Sequence, residues 1–479
     1  MDRGGNPAPA HPLARVRQAR GWSYQDVARL VAEHALALGV PMAARREKVW
    51  RWEHWGVIPE RDSQRALARA LGVPFADLDT RPWPAWLTAD PAPAAGLPWD
   101  QSGSIAALTA LLEGTGDEDH GHPAPGGPEL DRALTEWAAA PAAASAAADD
   151  PPSGAARVGR PSDAADDGDA GADEADDADD AVGWLERGVP VLRRLDDRFG
   201  GEVVRRRVEA DLALTTDLLR RGAQGPHTRR RLYRVAADLT QLGGWACADA
   251  GRHTAAQRHH LTGLRLAHTA LDPLLTVGIL AGLSLHAVLA GHPADALAAA
   301  DAAARATPGG GPRRVRALLA VRRARAHALL REEAACRRSL ADAEQLLDAA
   351  ADEETPSWLY YFDGAELAAQ SGTALLDLGM PDHARTLLDR ALADQDPSCV
   401  RDRALYAIRA ATAHLLVGDT DRARALTQEA ERLAPHCTSP RVTTALADLR
   451  HRLSVLPTTA RPPASAPLDT DRRRPQPFR

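Results

Sequence analysis

The sequence predicts an all-α fold, and three observations lead there. Residues 182 to 455 carry an unbroken helical pattern, rich in Ala and Leu and interrupted only by short turns. Residues 11 to 80 read as a series of shorter helices separated by glycine and proline. Between these regions, residues 115 to 181 are dominated by Pro, Gly, Ala and Asp, and residues 457 to 479 by proline and arginine; neither composition buries enough apolar surface to offset ordering entropy. The expected order is therefore a small helical domain over 11–100, a disordered linker over 115–181, a long helical domain over 182–455 and a disordered basic tail over 457–479. A chain of 479 residues accommodates two or three such domains.

Charge and cysteine content narrow the class. The stretch "DAADDGDAGADEADDADD" (163–180) holds ten acidic residues and no basic one, and removing them from a net charge of −7 leaves +3. Cys247, Cys336, Cys399 and Cys437 lie far apart with no CxxC pair, which reads as reduced core thiols of a cytoplasmic protein rather than a disulfide framework or zinc site. The opening "MDRGGNPAPAHP" has no apolar core, so no signal peptide is expected. The most apolar run, "LLTVGILAGLSLHAVLAG" (274–291), is interrupted by Gly278, Gly282, Ser284 and His286 and reads as a helix buried among other helices, not a membrane span.

In the first region, "PLARVRQARG" (12–21) reads as a helix ending at Gly21. "SYQDVARLVAEHALALG" follows, with Ser23 as N-cap and Gly39 as the stop. Next comes "AARREKVWRWEHWGVIPE" (43–60), which gathers three tryptophans and four basic side chains in a chain only 4 % aromatic; its Lys48 is the chain's only lysine. In a helix from Ala43 to His54, Arg45, Val49 and Trp52 share one face, with Arg46, Glu47, Trp50, Arg51 and His54 opposite. "SQRALARALG" (63–72) is a further helix. "RPWPAWL" (81–87) and "LPW" (97–99) form a Trp-Pro strap over a neighbouring surface, and "SIAALTALLEG" (104–114) is one more helical segment. Within the linker, "ELDRALTEWAAA" (129–140) has the pattern of a short helix.

The long region repeats. Turns align at Gly251, Gly291, Arg331, Gly379 and Gly418, at intervals of 40, 40, 48 and 39 residues. Five residues beyond each anchor stand Ala256, Ala296, Cys336, Ala384 and Ala423. Twelve beyond stand Gly263, Ala303, Ala343, Ala391 and Ala430. Seven before stand Gly244, Ser284, Ala324, Gly372 and Ala411. Three columns restricted to small residues imply close crossings between paired antiparallel helices and the next pair.

This arrangement resembles tetratricopeptide (TPR) repeats, with a period longer than their usual ~34 residues. The N-terminal order resembles the Cro/cI-type (XRE) helix-turn-helix domain: "LARVRQARGWS" as first helix, "SYQDVARL" as second, "VWRWE" in the recognition helix and "QRALARALGVPFADL" closing. The combination with the strap and with "RLYRVAADLTQLGGWACADAGRHTAAQ" looks like a group of actinomycete regulators that includes proteins affecting differentiation and antibiotic production. The resemblance implies buried Val49 and Trp52, a structural Glu53, and a DNA-facing set of Tyr24, Gln25, Arg45, Arg46, Glu47, Lys48, Trp50 and Arg51. It departs from the family in a longer second helix, an enlarged turn carrying "VPMA", and Tyr24 where glutamine is common.

Double-stranded DNA is thus the expected partner of a transcriptional regulator acting as a homodimer. Its TPR-like domain would take a peptide, small-molecule or protein ligand. The competing expectation is a TPR-type adaptor that does not bind DNA specifically. No catalytic residue, cofactor or metal site is expected: P-loop, GxSxG and HExxH motifs are missing, and His253, His259 and His260 in "HTAAQRHHLTG" do not share a direction on a helix. His120 and His122 in "DEDHGH" fall in the expected linker.

Overall fold

The computed structural model describes residues 11–19, 22–71, 75, 78, 82–87, 97–113, 127–140, 168–222, 224–307 and 310–455. These form helices, short 3-10 turns and connecting segments, with no strand among the described residues, so the fold is all-α. Among them, no helix is long and apolar enough to cross a membrane.

The N-terminal unit contains α1 (Pro12–Ala19), α2 (Tyr24–Ala37), α3 (Arg46–His54) and α4 (Arg61–Leu71), followed by a 3-10 turn at Ala85–Leu87. Local chemistry sets the helix ends. The Ser23 hydroxyl accepts from the Asp26 amide while the Asp26 carboxylate accepts from the Ser23 amide, a reciprocal cap at the start of α2. Gly39, at φ +80°, turns the chain out of that helix. The core comprises Leu13, Val27, Val31, Val49, Trp52, Leu67, Leu71, Trp86 and Leu87. Gln64 donates to the Pro59 carbonyl at 2.7 Å and accepts from the Trp86 indole at 3.1 Å, so both of these buried side chains are paired.

The expected helix from Ala43 is shortened to Arg46. Arg45 sits in extended backbone at the N-cap and makes no side-chain cap, so the residues before it remain irregular. The strap also divides. Trp83 and Trp86 pack in the N-terminal unit, whereas Trp99 lies beneath the Arg265 guanidinium at 4.2 Å, and Arg265 donates to the Leu97 and Pro98 carbonyls. Residues 97–113 therefore belong with the C-terminal helices, through α5 (Gln101–Glu113), whose Leu108 and Leu111 enter that core.

The expected linker is helical in two places. Helix α6 (Pro128–Ala139) buries Leu130 and Leu134 in the C-terminal core. Helix α7 (Gly168–Phe199) takes in the second half of the acidic run, which departs from the disorder expected there. One contact at the described end of the run is an ion pair of Asp179 with Arg231 at 2.5 Å. Residues 115–126 and 141–167, and the tail 457–479, lie outside the described residues.

After α8 (Gly201–Arg221) come five antiparallel hairpins: α9 (Pro226–Asp249) with α10 (His253–Thr269), α11 (Pro273–Leu289) with α12 (Pro293–Arg305), α13 (Arg313–Leu329) with α14 (Glu333–Asp348), α15 (Gly364–Asp377) with α16 (Pro381–Asp394), and α17 (Val400–Leu416) with α18 (Thr420–Leu433). Helix α19 (Pro440–Ser454) follows. The five aligned anchors lie in the five hairpin turns, each at positive φ, between +63° at Arg331 and +85° at Gly418. Glycine adopts this conformation without cost, while Arg331 carries the strain of a side chain there. All the small residues of the three columns are buried. At Gly372 the reason is measurable: a Cβ would lie 2.7 Å from Leu388 Cγ and 3.1 Å from the Ala384 carbonyl on the facing helix.

The hairpins curve until the last meets the first. Arg401 on α17 pairs with Asp196 on α7 at 2.6 Å. The Thr438 amide donates to the Phe199 carbonyl, and Ser439 and Arg441 both reach Asp249 at the end of α9. The array is a closed ring around a central cavity.

Candidate functional site

Two regions carry unspent chemistry: the outer face of α3 and the cavity at the centre of the ring. On α3, Val49, Trp52 and Glu53 point inward. Glu53 receives a two-pronged ion pair from Arg17, at 2.8 and 3.0 Å, which ties α3 to α1. The Arg17 guanidinium also covers the Tyr24 ring at 4.0 Å.

Opposite this buried side, Arg46, Glu47, Trp50 and Arg51 are exposed. Arg46 and Glu47 are paired at 3.1 Å, but both side chains remain 70 % exposed, so the pair contributes little to stability. Trp50 stacks on His54 at 4.6 Å and meets Trp55 edge-on at 5.2 Å. Arg45 is exposed at the N-cap, and Gln25 reaches the Ala44 carbonyl from α2. Lys48 stands apart: it turns toward α4, donating to the Ser63 hydroxyl at 3.2 Å and approaching Glu60 at 3.6 Å. Tyr24 is half-buried beneath Arg17. Of the eight residues expected to face DNA, the structure thus places Arg45, Arg46, Glu47, Trp50 and Arg51 on the exposed end and face of α3, and Gln25 half-buried on α2. Lys48 and Tyr24 are committed to intramolecular contacts.

Sequence reading did not anticipate the central cavity. It has a volume of about 130 Å³ and draws its lining from both ends of the ring. The 48-residue interval explains part of it. The extra length between α14 and α15 carries Trp358, Tyr360 and Tyr361 into the hollow. Gly278 makes room for the indole, since a Cβ there would lie 2.9 Å from it. The Tyr360 hydroxyl donates to Asp197, completing a link from this segment to α7.

Burial pushes the Asp197 carboxyl up to about 7, with nearby Asp402 adding to the rise and the Tyr360 hydrogen bond opposing it. Burial likewise raises Glu366, which accepts from Tyr406 and Gln370. It pushes the Arg325 guanidinium down to about 10, with Asp377 opposing and Arg409 and Arg322 adding to the fall. The sequence alone does not single these two out: "RRVRALLAVRRARAHALL" carries six arginines, and only the fold buries Arg322 and Arg325 among them.

The histidines of the first hairpins are packing elements. His259 fits against Gly243 and His260 against Gly244 and Gly282, and the His286 ring lies 5.4 Å from that of His253 and 6.0 Å from that of His260. Among the described residues, no group of three His, Cys, Asp or Glu side chains is gathered to hold a metal ion.

Burial lowers His259 to about 4 from 6.5, with Arg205 adding to the effect. Below pH 6.5 the unfolded chain therefore takes up this proton before the folded one, so this contribution to stability is present above 6.5 and lost as pH falls toward 4. Between pH 8 and pH 5, wild type should lose about 2 kcal/mol more stability than His259→Gln. Urea melts of both chains at the two pH values test this; parallel losses would show that His259 does not titrate as its burial requires.

No family model matches the sequence, and comparison with curated proteins finds no match, so the functional reading rests on the residues and their geometry.

Proposed function

We propose that the chain is a DNA-binding transcriptional regulator. Its N-terminal unit is an XRE-type helix-turn-helix domain with α3 as recognition helix, and its ring of hairpins is a TPR-like domain for ligand or protein sensing and self-association. The observation that carries this reading is the exposure of Arg46 and Arg51 on the side of α3 opposite Val49 and Trp52. Arginine pairs two N–H groups with a guanine edge or a phosphate, and a short helix anchored by its other side can present such groups to a major groove. The protein would work in the cytoplasm as a homodimer on paired half-sites, with control of differentiation or secondary metabolism as the biological setting implied by the resemblance.

The test is capture of bound genomic DNA by the full chain, then gel shifts and footprinting on the best site. Arg46→Ala with Arg51→Ala should abolish specific binding, at about 1–3 kcal/mol per good paired contact, while the circular-dichroism spectrum and melt remain those of wild type. Unchanged affinity in the double variant would rule out α3 as the reading helix.

A second reading is a TPR-type adaptor without specific DNA binding. It is favoured by the exposed Trp55 and Ile58 next to the basic face, 67 % and 66 % accessible, which suit a protein contact. Failure of the full chain to enrich any DNA sequence would select it.

A further inference from the structure

We propose that the central cavity binds a small organic carboxylate of about one ring in size, held by Arg322 and Arg325. This deepens the reading of the ring as a sensing domain and rests on it for any consequence at DNA.

The argument starts from unmatched charge. Three of the other arginines around the cavity have carboxylate partners, Arg401 with Asp196 and Asp402, Arg441 with Asp249, and Arg193 with Asp238, and Arg409 donates to the Thr373 hydroxyl at 3.1 Å. Arg322 is only 2 % exposed, yet its contacts are neutral ones, with Nε donating to the Ala281 carbonyl and Nη2 to the Tyr361 hydroxyl. Its Nη1 has no acceptor within hydrogen-bonding distance among the described residues.

Arg325, three residues further along α13, is 3 % exposed; it donates to the Gln370 side chain at 2.7 Å and to Asp377 at a long 3.5 Å, and leaves Nε without an acceptor. The Trp358 indole N–H lines the same cavity and also lacks an acceptor. Buried donors are nearly always paired, and a guanidinium in low dielectric calls for an anion. These three donors belong to residues that line one cavity, and a carboxylate offers the charged oxygens that such donors lack.

Size and the remaining lining narrow the class. A hollow of about 130 Å³ is close to the ~150 Å³ engineered cavity that accepts a benzene ring. Leu242, Leu285, Leu289 and Leu405 provide apolar wall for the body of such a molecule. Asp196, Asp197, Glu366 and Asp402 face the same space, and their charge disfavours a dianion such as phosphate relative to a monoanion.

The experiment uses the full chain, free of DNA, and follows the melting temperature and calorimetric heats. The probes are sodium benzoate, phenylacetate and cyclohexanecarboxylate, with benzamide as neutral counterpart and inorganic phosphate as dianion. At least one acid should bind saturably, with benzamide and phosphate at least tenfold weaker. Arg322→Gln should weaken the acid by roughly tenfold to a hundredfold, the range for one charged hydrogen-bonding partner.

Absence of saturable binding by all three acids, equal binding of acid and amide, tighter binding of phosphate, or unchanged affinity in a folded Arg322→Gln would each overturn the proposal. If Arg322→Gln does not fold, Trp358→Phe serves instead: it keeps the ring and removes the donor. A several-fold loss then supports the site and an unchanged affinity overturns it. Because binding is read without DNA, failure here leaves the DNA-binding result intact, and failure to bind DNA leaves this result intact.

Discussion

Arg401→Ala should destabilise the ring of hairpins by about 3–5 kcal/mol, the range for removing one partner of a buried ion pair. Arg401 is 1 % exposed and is the hub of the closure. It bonds Asp196 at 2.6 Å and Asp402 at 3.0 Å and approaches Asp197 at 3.7 Å. It also lies 5.1 Å from the Trp245 ring centre, with Arg441 5.2 Å away. Without Arg401, Asp196 is left as a buried carboxylate, already raised in pKa by burial and held down chiefly by this arginine.

The loss should therefore shrink as pH falls and Asp196 becomes neutral by protonation. Asp196→Asn combined with Arg401→Met should recover part of the stability, because it removes the Asp196 charge while Asp402, 3.0 Å from Arg401, still loses its partner. Urea unfolding followed by far-ultraviolet circular dichroism measures all three effects. A change below about 1 kcal/mol for Arg401→Ala, the surface-pair range, would show that the ring is not closed through this residue.

Trp52→Ala should cost the N-terminal unit roughly 3–5 kcal/mol, as for other large-to-small core changes. The indole is 2 % exposed, meets Trp83 edge-on at 6.3 Å and lies under the Lys48 ammonium at 5.9 Å. Its loss leaves a void between α3 and the strap that Val49 and Leu67 are too short to fill. A melt of the full chain should show the transition of this unit at a markedly lower temperature, and an unchanged midpoint would count against the buried position. DNA binding should fall as well, but by unfolding, which separates this variant from Arg46→Ala with Arg51→Ala, where binding falls while the melt is unchanged.

Much of the secondary structure was legible in the sequence because its causes are local. A serine three residues before an aspartate caps a helix wherever it lies in the fold, so Ser23 could be read directly. Glycine in a left-handed turn reports a hairpin, and the aligned anchors at Gly251, Gly291, Gly379 and Gly418 lie in those turns. Helical spacing placed Val49 and Trp52 on one face and Arg46 and Arg51 on the other, as α3 has them.

Tertiary structure alone decided the rest, because the deciding contacts join residues with no common local pattern. Lys48 stood out as the only lysine, but it lies at the edge of the buried arc of α3. Ser63 and Glu60, on and just before α4, draw it inward. Trp99 reads as part of the strap until Arg265, far along the chain, is seen to cover it. The acidic run has a disordered composition, and Arg231 helps hold its end in a helix. The cavity depends on still longer reach: Asp196 and Arg401 are 205 residues apart, and they meet only once the hairpins between them have stacked. A repeat pattern records each crossing separately; whether the sum of crossings closes a ring is a property of the assembled helices.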